Sequence, residues 1–306
     1  MPTKPVPDIL PESIDDAELA NALRTFSGAI GETVRFGTHV LKWCADKATA
    51  GVEQAPLLLS FRYAIELLDS ISILVEQSSI DPCGVLLRAL VEILLNTQYM
   101  LQADTKRRAM SFLVCHRHQK LRWYRKLCPT AQEGKQFEAQ VTKDRVAGKM
   151  RIPRPPKLEQ RIANLQALLN RPAYLAAEAE YQRLRSAGTH KPRWYSLFGG
   201  PKKLEQLAHK VGLTAVYQVV YRILSGLTHG TDIIQGKISP GGIHQIRLPR
   251  DAQTVTQNAM TFAFELYRSF IRYYVPERER DFDDWYFREV RTIYTALSGR
   301  QIIHVV

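Results

Sequence analysis

The sequence predicts an all-α fold, a multi-helix bundle with one short β-hairpin-like insertion after its central helix. Three observations carry this. Apolar residues recur with helical period over Ala55 to Gln77, Pro82 to about Gln102 and Asp251 to Val275. Strand signals are nearly absent before Gly236. Prolines mark helix ends, Pro82 starting one of these stretches and Pro276 ending another.

Met1 to Glu12 contains four prolines and no periodicity, and reads as a flexible N-terminal arm. Residues 13–306 are expected to form a single helical domain. Ser13 is the expected cap of the first helix, whose first turn is acidic (Asp15, Asp16, Glu18) as the helix dipole favours. A break is expected near Gly28 to Gly31 before the helix ends at Ala48.

The second helix, Ala55 to Gln77, carries Arg62, Glu66 and Asp69, charges too costly for a lipid span. In the third, Arg88 and Glu92 stand at i and i+4 amid Leu, Val, Ile and Ala. So apolar a helix is expected to be buried, and the two charges to be buried with it as a structural ion pair or as site residues. Glu92 placed behind a catalytic arginine or histidine is a further alternative.

Lys106 to Lys126 is helical and holds eight Lys and Arg with no acid, interleaved with Phe112, Trp123 and Tyr124. Arg117, Lys120, Arg122, Trp123 and Arg125 are the candidate nucleic-acid contacts, because cations follow a phosphate chain and aromatics stack on exposed bases. A charged face opposite a buried aromatic stripe has the same composition. Positive charge continues through Arg145, Lys149, Arg151 and Arg154, then Pro153, Pro155 and Pro156 mark an exposed loop. Leu158 to Ser186 reads as a helix pair broken near Arg171-Pro172, followed by a loop from Ala187 to Gly200.

Leu213 to Gly230 is the central amphipathic helix, with Thr214 as its expected N-cap and Gly230 as its C′ residue. Seven residues separate Arg222 and His229. At about 100° per residue that spacing puts both on one face, with Ser225 between them. An imidazole moves protons near neutral pH and a guanidinium holds a phosphate or developing oxyanion, so the pair suits RNA cleavage. A histidine favourably placed at a helix C-terminus and a serine packed between helices are the structural alternatives. Gly236 to Leu248, turning at Pro240-Gly241-Gly242, is the hairpin-like stretch. The last helix runs from about Glu279 to Leu297 after Pro276.

The net charge of +12 favours a polyanionic partner. Cys44, Cys83, Cys115 and Cys128 are scattered without a C-x-x-C pair, and no secretory signal is seen. A cytoplasmic location with reduced thiols is therefore expected, without metal or cofactor. Gly-x-Ser-x-Gly, His-Glu-x-x-His and glycine-rich phosphate loops are missing, which argues against the common hydrolase classes.

Arg88-x-x-x-Glu92, Trp194-Tyr195, Leu207-Ala208, Gly212-Leu213 and Tyr217-x-x-x-Tyr221-Arg222-x-x-Ser225-x-x-x-His229 together resemble a bacterial all-helical family of unknown function, over roughly 55–231. The Arg222 to His229 segment also resembles the signature of HEPN domains, helical bundles common in toxin, antiviral-defence and CRISPR ribonucleases, with a core here of about 55–275. Ile223 follows the arginine where a polar residue is frequent in that superfamily. The resemblance implies a metal-independent endoribonuclease whose Arg222 and His229 form one site across a homodimer, and Ser225, Glu92 and Arg88 are the candidate supporting residues beside them. It further implies RNA as substrate and an operon-encoded regulator as a partner. The competing expectation is a non-catalytic helical module that binds nucleic acid or an acidic protein.

Overall fold

The computed structural model describes residues 4–11, 13–229, 238–239 and 242–299, without the side chains of 227–229, 238, 239 and 243. The fold is all-helical. The chain divides into two compact units, 1–103 with 204–306, and 104–203. The sequence draws no boundary at either crossing point, and its expectation of one domain spans both.

In the first unit, α1 (Ala17–Lys47) begins at Asp16, whose carboxylate accepts from the Glu18 and Leu19 amides at 2.9 and 3.1 Å. Ser13 is therefore not the cap. It lies ahead of the helix and donates to Asp15 Oδ1 at 2.6 Å. The expected break at Gly28 to Gly31 does not occur, because the buried stripe of Leu23, Phe26, Ile30, Thr33, Gly37 and Val40 keeps one helical phase through both glycines. α2 (Ala55–Glu76) packs against α1, and α3 (Asp81–Gln102) packs against α2 and α11 (Ala252–Tyr274). α3 has the length and composition of a membrane-crossing helix, yet Leu87, Leu90, Val91, Leu94 and Leu95 are covered by protein.

α1 and α11 approach closely at one glycine. Tyr267 of α11 is fully buried and donates its hydroxyl to the Thr33 carbonyl at 3.0 Å. A Cβ on Gly37 would lie 2.2 Å from that oxygen. Phe61 and Phe270 pack beside it, with ring centroids 4.5 Å apart. Phe36 stacks on Trp285 at 4.0 Å, joining α1 to α12 (Glu279–Trp285). α13 (Arg291–Ser298) follows a π turn at Tyr286–Val290 and packs on α11.

The second unit is organised on α4 (Thr105–Leu127), against which α5 (Gln132–Lys143), α6 (Leu158–Leu169), α7 (Pro172–Ser186) and a 3-10 segment, Trp194–Gly199, all pack. Val114, Leu121, Tyr124, Tyr174, Ala177 and Tyr181 form its core. α5 is not anticipated by the sequence pattern.

The expected hairpin shrinks to a two-residue antiparallel contact, Ile238 with Ile243 and Ser239 with Gly242, so no sheet layer stands among the described residues. Its turn at 240–241 lies outside them. In the N-terminal arm the Ile9 carbonyl accepts from the Ile246 amide at 2.8 Å.

Gly37→Ala is expected to destabilise the protein by about 1–3 kcal/mol, since Tyr267 is enclosed and has no room to withdraw. Urea denaturation followed by circular dichroism measures this, and an unchanged midpoint would contradict the close approach.

Candidate functional site

The central helix is built in three pieces: α8 (Leu204–Lys210) precedes it, then α9 (Thr214–Val216), a π turn at Tyr217–Tyr221, and α10 (Arg222–His229) run on without a gap. Thr214 is the first helical residue rather than the N-cap, and its hydroxyl lies 3.4 Å from His209 Nδ1. The C′ position, Gly230, lies outside the described residues. The π turn widens the helix by one residue per turn, so the phase of the apolar pattern does not run evenly from Thr214 to His229. Within it Tyr217 and Tyr221 stack, with centroids 5.1 Å and planes 17° apart.

α10 and the π turn pack on α3, and this contact brings three polar side chains together. Arg88 donates to the Tyr221 hydroxyl at 3.1 Å, and Tyr221 donates to Glu92 Oε1 at 2.8 Å. The Arg88 guanidinium also sits over the Tyr221 ring, 5.0 Å from its centroid. Burial raises the Tyr221 pKa; the Arg88 hydrogen bond opposes this and Glu92 adds to it. The phenol is therefore protonated at neutral pH and acts as a donor, not a base.

Two expectations change here. Arg88 and Glu92 are not both buried, since their side chains are 18% and 43% exposed. The Tyr221 ring covers the Arg88 guanidinium, while the Glu92 carboxylate meets the Tyr221 hydroxyl and keeps much of its exposure. Nor do the two pair closely: Arg88 Nε lies 3.6 Å from Glu92 Oε1, an ion-pair distance with no hydrogen bond, and Tyr221 bridges them instead. Among the described residues, Glu92 orients Tyr221 and makes no hydrogen bond to Arg222.

Arg222 is exposed at the first turn of α10 and donates to Gln218 Oε1 at 3.2 Å. Gln218 in turn donates to Glu205 Oε1 of α8 at 2.8 Å. Ser225 donates its hydroxyl to the Tyr221 carbonyl at 2.7 Å, the back-bond of a helical serine. The backbone is α-helical from Arg222 to His229, so those two positions share a face. The His229 side chain lies outside the described residues. Tyr221, Gln218 and Glu205 were missed as orienting residues because their link depends on packing between α3, α8 and the π turn. The i, i+4 spacing of Gln218 and Arg222 was the only signal available in the sequence.

In the second unit the five candidates of α4 diverge. Trp123 is 52% exposed, edge-on to Phe137. Lys120 lies over the Tyr124 ring. Arg117 buries its Nε without a hydrogen-bond partner. Arg122 donates to the Tyr181 hydroxyl at 3.0 Å, and Arg125 lines a cleft with it. They do not make one stripe of alternating cations and aromatic faces, because side chains at 122 and 123 leave the helix about 100° apart.

These features define a class: an all-helical protein in which an apolar helix with an Arg-x-x-x-Glu pair is capped by a Tyr-x-x-x-Tyr-Arg turn. The chain belongs to a family of unknown function, DUF5677, whose profile matches residues 54–237. No curated protein and no solved structure matches it.

Tyr221→Phe removes both hydrogen bonds of the bridge and is expected to cost about 1–2 kcal/mol. Glu92→Ala is expected to cost less, about 1 kcal/mol or under, because its carboxylate is near water. Chemical denaturation of both variants checks the order; a larger loss for Glu92→Ala would mean the carboxylate is enclosed after all.

Proposed function

We propose that the protein is a metal-independent endoribonuclease of HEPN type, an effector of a toxin or antiviral system held in check by a partner encoded beside it. The single observation that carries the reading is the continuous α-helical backbone from Arg222 to His229, with Arg222 exposed and aligned by Gln218 and Glu205. In this reading His229 takes the proton of a ribose 2′-hydroxyl or protonates the leaving oxygen, while Arg222 stabilises the charge of the phosphorane-like transition state. Ser225 is then a packing residue, since its hydroxyl is bonded within its own helix.

One Arg and one His supply few groups for the chemistry, and two copies across a two-fold axis double them around one phosphate. Val219 and Ile223 are 58% and 62% exposed on the same helix, an apolar surface that supports a homodimer contact. The apolar Ile223, where the superfamily often carries a polar residue, fits a role in that contact.

A second reading is favoured by α4. Its eight cations without an acid over 106–126 suit a non-catalytic module that docks RNA or an acidic protein. That module would bind with strong salt dependence and turn nothing over.

Purified protein incubated with RNA in EDTA is expected to produce 2′,3′-cyclic phosphate ends, and Arg222→Ala and His229→Ala are each expected to lower the rate at least about a hundredfold. Salt-sensitive binding without cleavage would select the second reading. In light scattering at micromolar concentration the chain is expected to be a dimer, and Val219→Asp with Ile223→Asp a monomer of unchanged helicity with little activity. A monomer that cleaves RNA as fast as the parent would remove both the dimer and the shared site.

A further inference from the structure

The second unit contains a cleft of about 490 Å³ between α4 and α7, lined also by Glu133 of α5 and by Gln166, Leu169 and Asn170 at the end of α6, and the proposed nuclease makes no use of it. Its floor is fully bonded. His118 stacks flat on Tyr181, with centroids 4.0 Å and planes 5° apart, and its Nε2 lies 2.7 Å from Glu178 Oε2. Gln182 donates to the other Glu178 oxygen at 2.6 Å, and Arg122 donates to the Tyr181 hydroxyl at 3.0 Å. Desolvation pushes the Glu178 pKa up, but the hydrogen bonds from His118 and Gln182 outweigh it and the pKa falls below its ordinary value, so the carboxylate is charged at neutral pH.

Helical spacing explains why these groups meet. Positions 118, 122 and 125 share one face of α4, and 178, 182 and 185 share one face of α7, each set at i, i+4 and i+7. Where the two faces oppose, the floor gives way to cations. Arg122, Arg125 and Lys126 come from α4 and Arg185 from α7, against only Glu133 and Glu178. Glu178 is already held by His118 and Gln182. Arg125, Lys126 and Arg185 form no ion pair among the described residues.

Four cations share this concave place with two carboxylates, Arg185 already interacting with Glu178, so an excess of positive charge is left for an anionic ligand to offset. We propose that this cleft binds a small phosphate monoester. The lining carries two more formal positive charges than negative ones, matching the dianion of such an ester, and guanidinium forks suit phosphate oxygens. Gln166 and Asn170, at the α6 side of the cleft, provide amide donors and acceptors for hydroxyl or amine groups on the esterified part. The volume falls within the range of small-molecule sites. A single-stranded RNA would instead require cations strung along a groove beside stacking faces, whereas these converge from two helices and Trp123 stands away from them.

The test uses the full chain and isothermal titration calorimetry. The probes are inorganic phosphate, glucose 6-phosphate, O-phosphoserine and AMP, with glucose, serine and adenosine as their uncharged or dephosphorylated counterparts. At least one phosphate monoester is expected to bind one per chain with sub-millimolar affinity, and its dephosphorylated counterpart not at all. Arg125→Gln combined with Arg185→Gln is expected to weaken binding at least about tenfold while leaving circular dichroism and the melting temperature unchanged. Arg222→Ala is expected to bind as the parent does, which separates this site from the proposed nuclease face. Failure of every phosphate probe, equal binding by the double variant, or binding of only a single-stranded RNA oligomer would each overturn the proposal.

Discussion

A helix as apolar as α3 has to be covered around most of its circumference, and the first unit is arranged to do that. α2 and α11 cover two sides and the central helix a third, while α1 backs α2 and α11 from behind. At roughly 25 cal/mol per Å² of apolar surface, leaving one of these sides open would cost several kcal/mol. That requirement fixes where the central helix lies, and so where Arg222 is presented. The close approach of α1 to α11 at Gly37 belongs to the same constraint, since a side chain there would hold the covering helices apart.

The polar groups of α3 stand at ion-pair distance and are bridged by a tyrosine. Tyr221 gives Glu92 a hydrogen bond and gives Arg88 both an acceptor and an aromatic face. The same device recurs in the second unit, where Tyr181 accepts from Arg122 and stacks under His118. In both places a tyrosine, half-buried at Tyr221 and buried at Tyr181, gives a cation at the edge of the core an oxygen acceptor.

The second unit meets a different difficulty. α4 carries a run of like charges and also supplies the core of its unit. Arg107 pairs with Asp104, Lys120 lies over Tyr124 and Arg122 is held by Tyr181, so several cations are tied to distinct partners around the helix. Arg125, Lys126 and Arg185 at the cleft have no ion pair of this kind among the described residues. Membership in a family of unknown function over 54–237 spans this unit together with α2, α3 and the central helix.

Helical periodicity determined most of the architecture in advance. α2, α3, α4, α6, α7 and α11 lie where their apolar residues repeat, because covering one face of a helix imposes that repeat whatever the neighbours are. α5 was not legible, since Gly134 is its only buried residue and leaves no apolar stripe to read. The Arg222 to His229 spacing was visible along the chain, as was the i, i+4 relation of Arg88 and Glu92. What only the tertiary structure decided is which groups those side chains meet. Tyr221 stands well over a hundred positions from Arg88 and Glu92, and Arg122 and Tyr181 are likewise remote in sequence. A hydrogen bond forms only where packing brings donor and acceptor within about 3 Å, a distance that local spacing encodes within one helix and not between two.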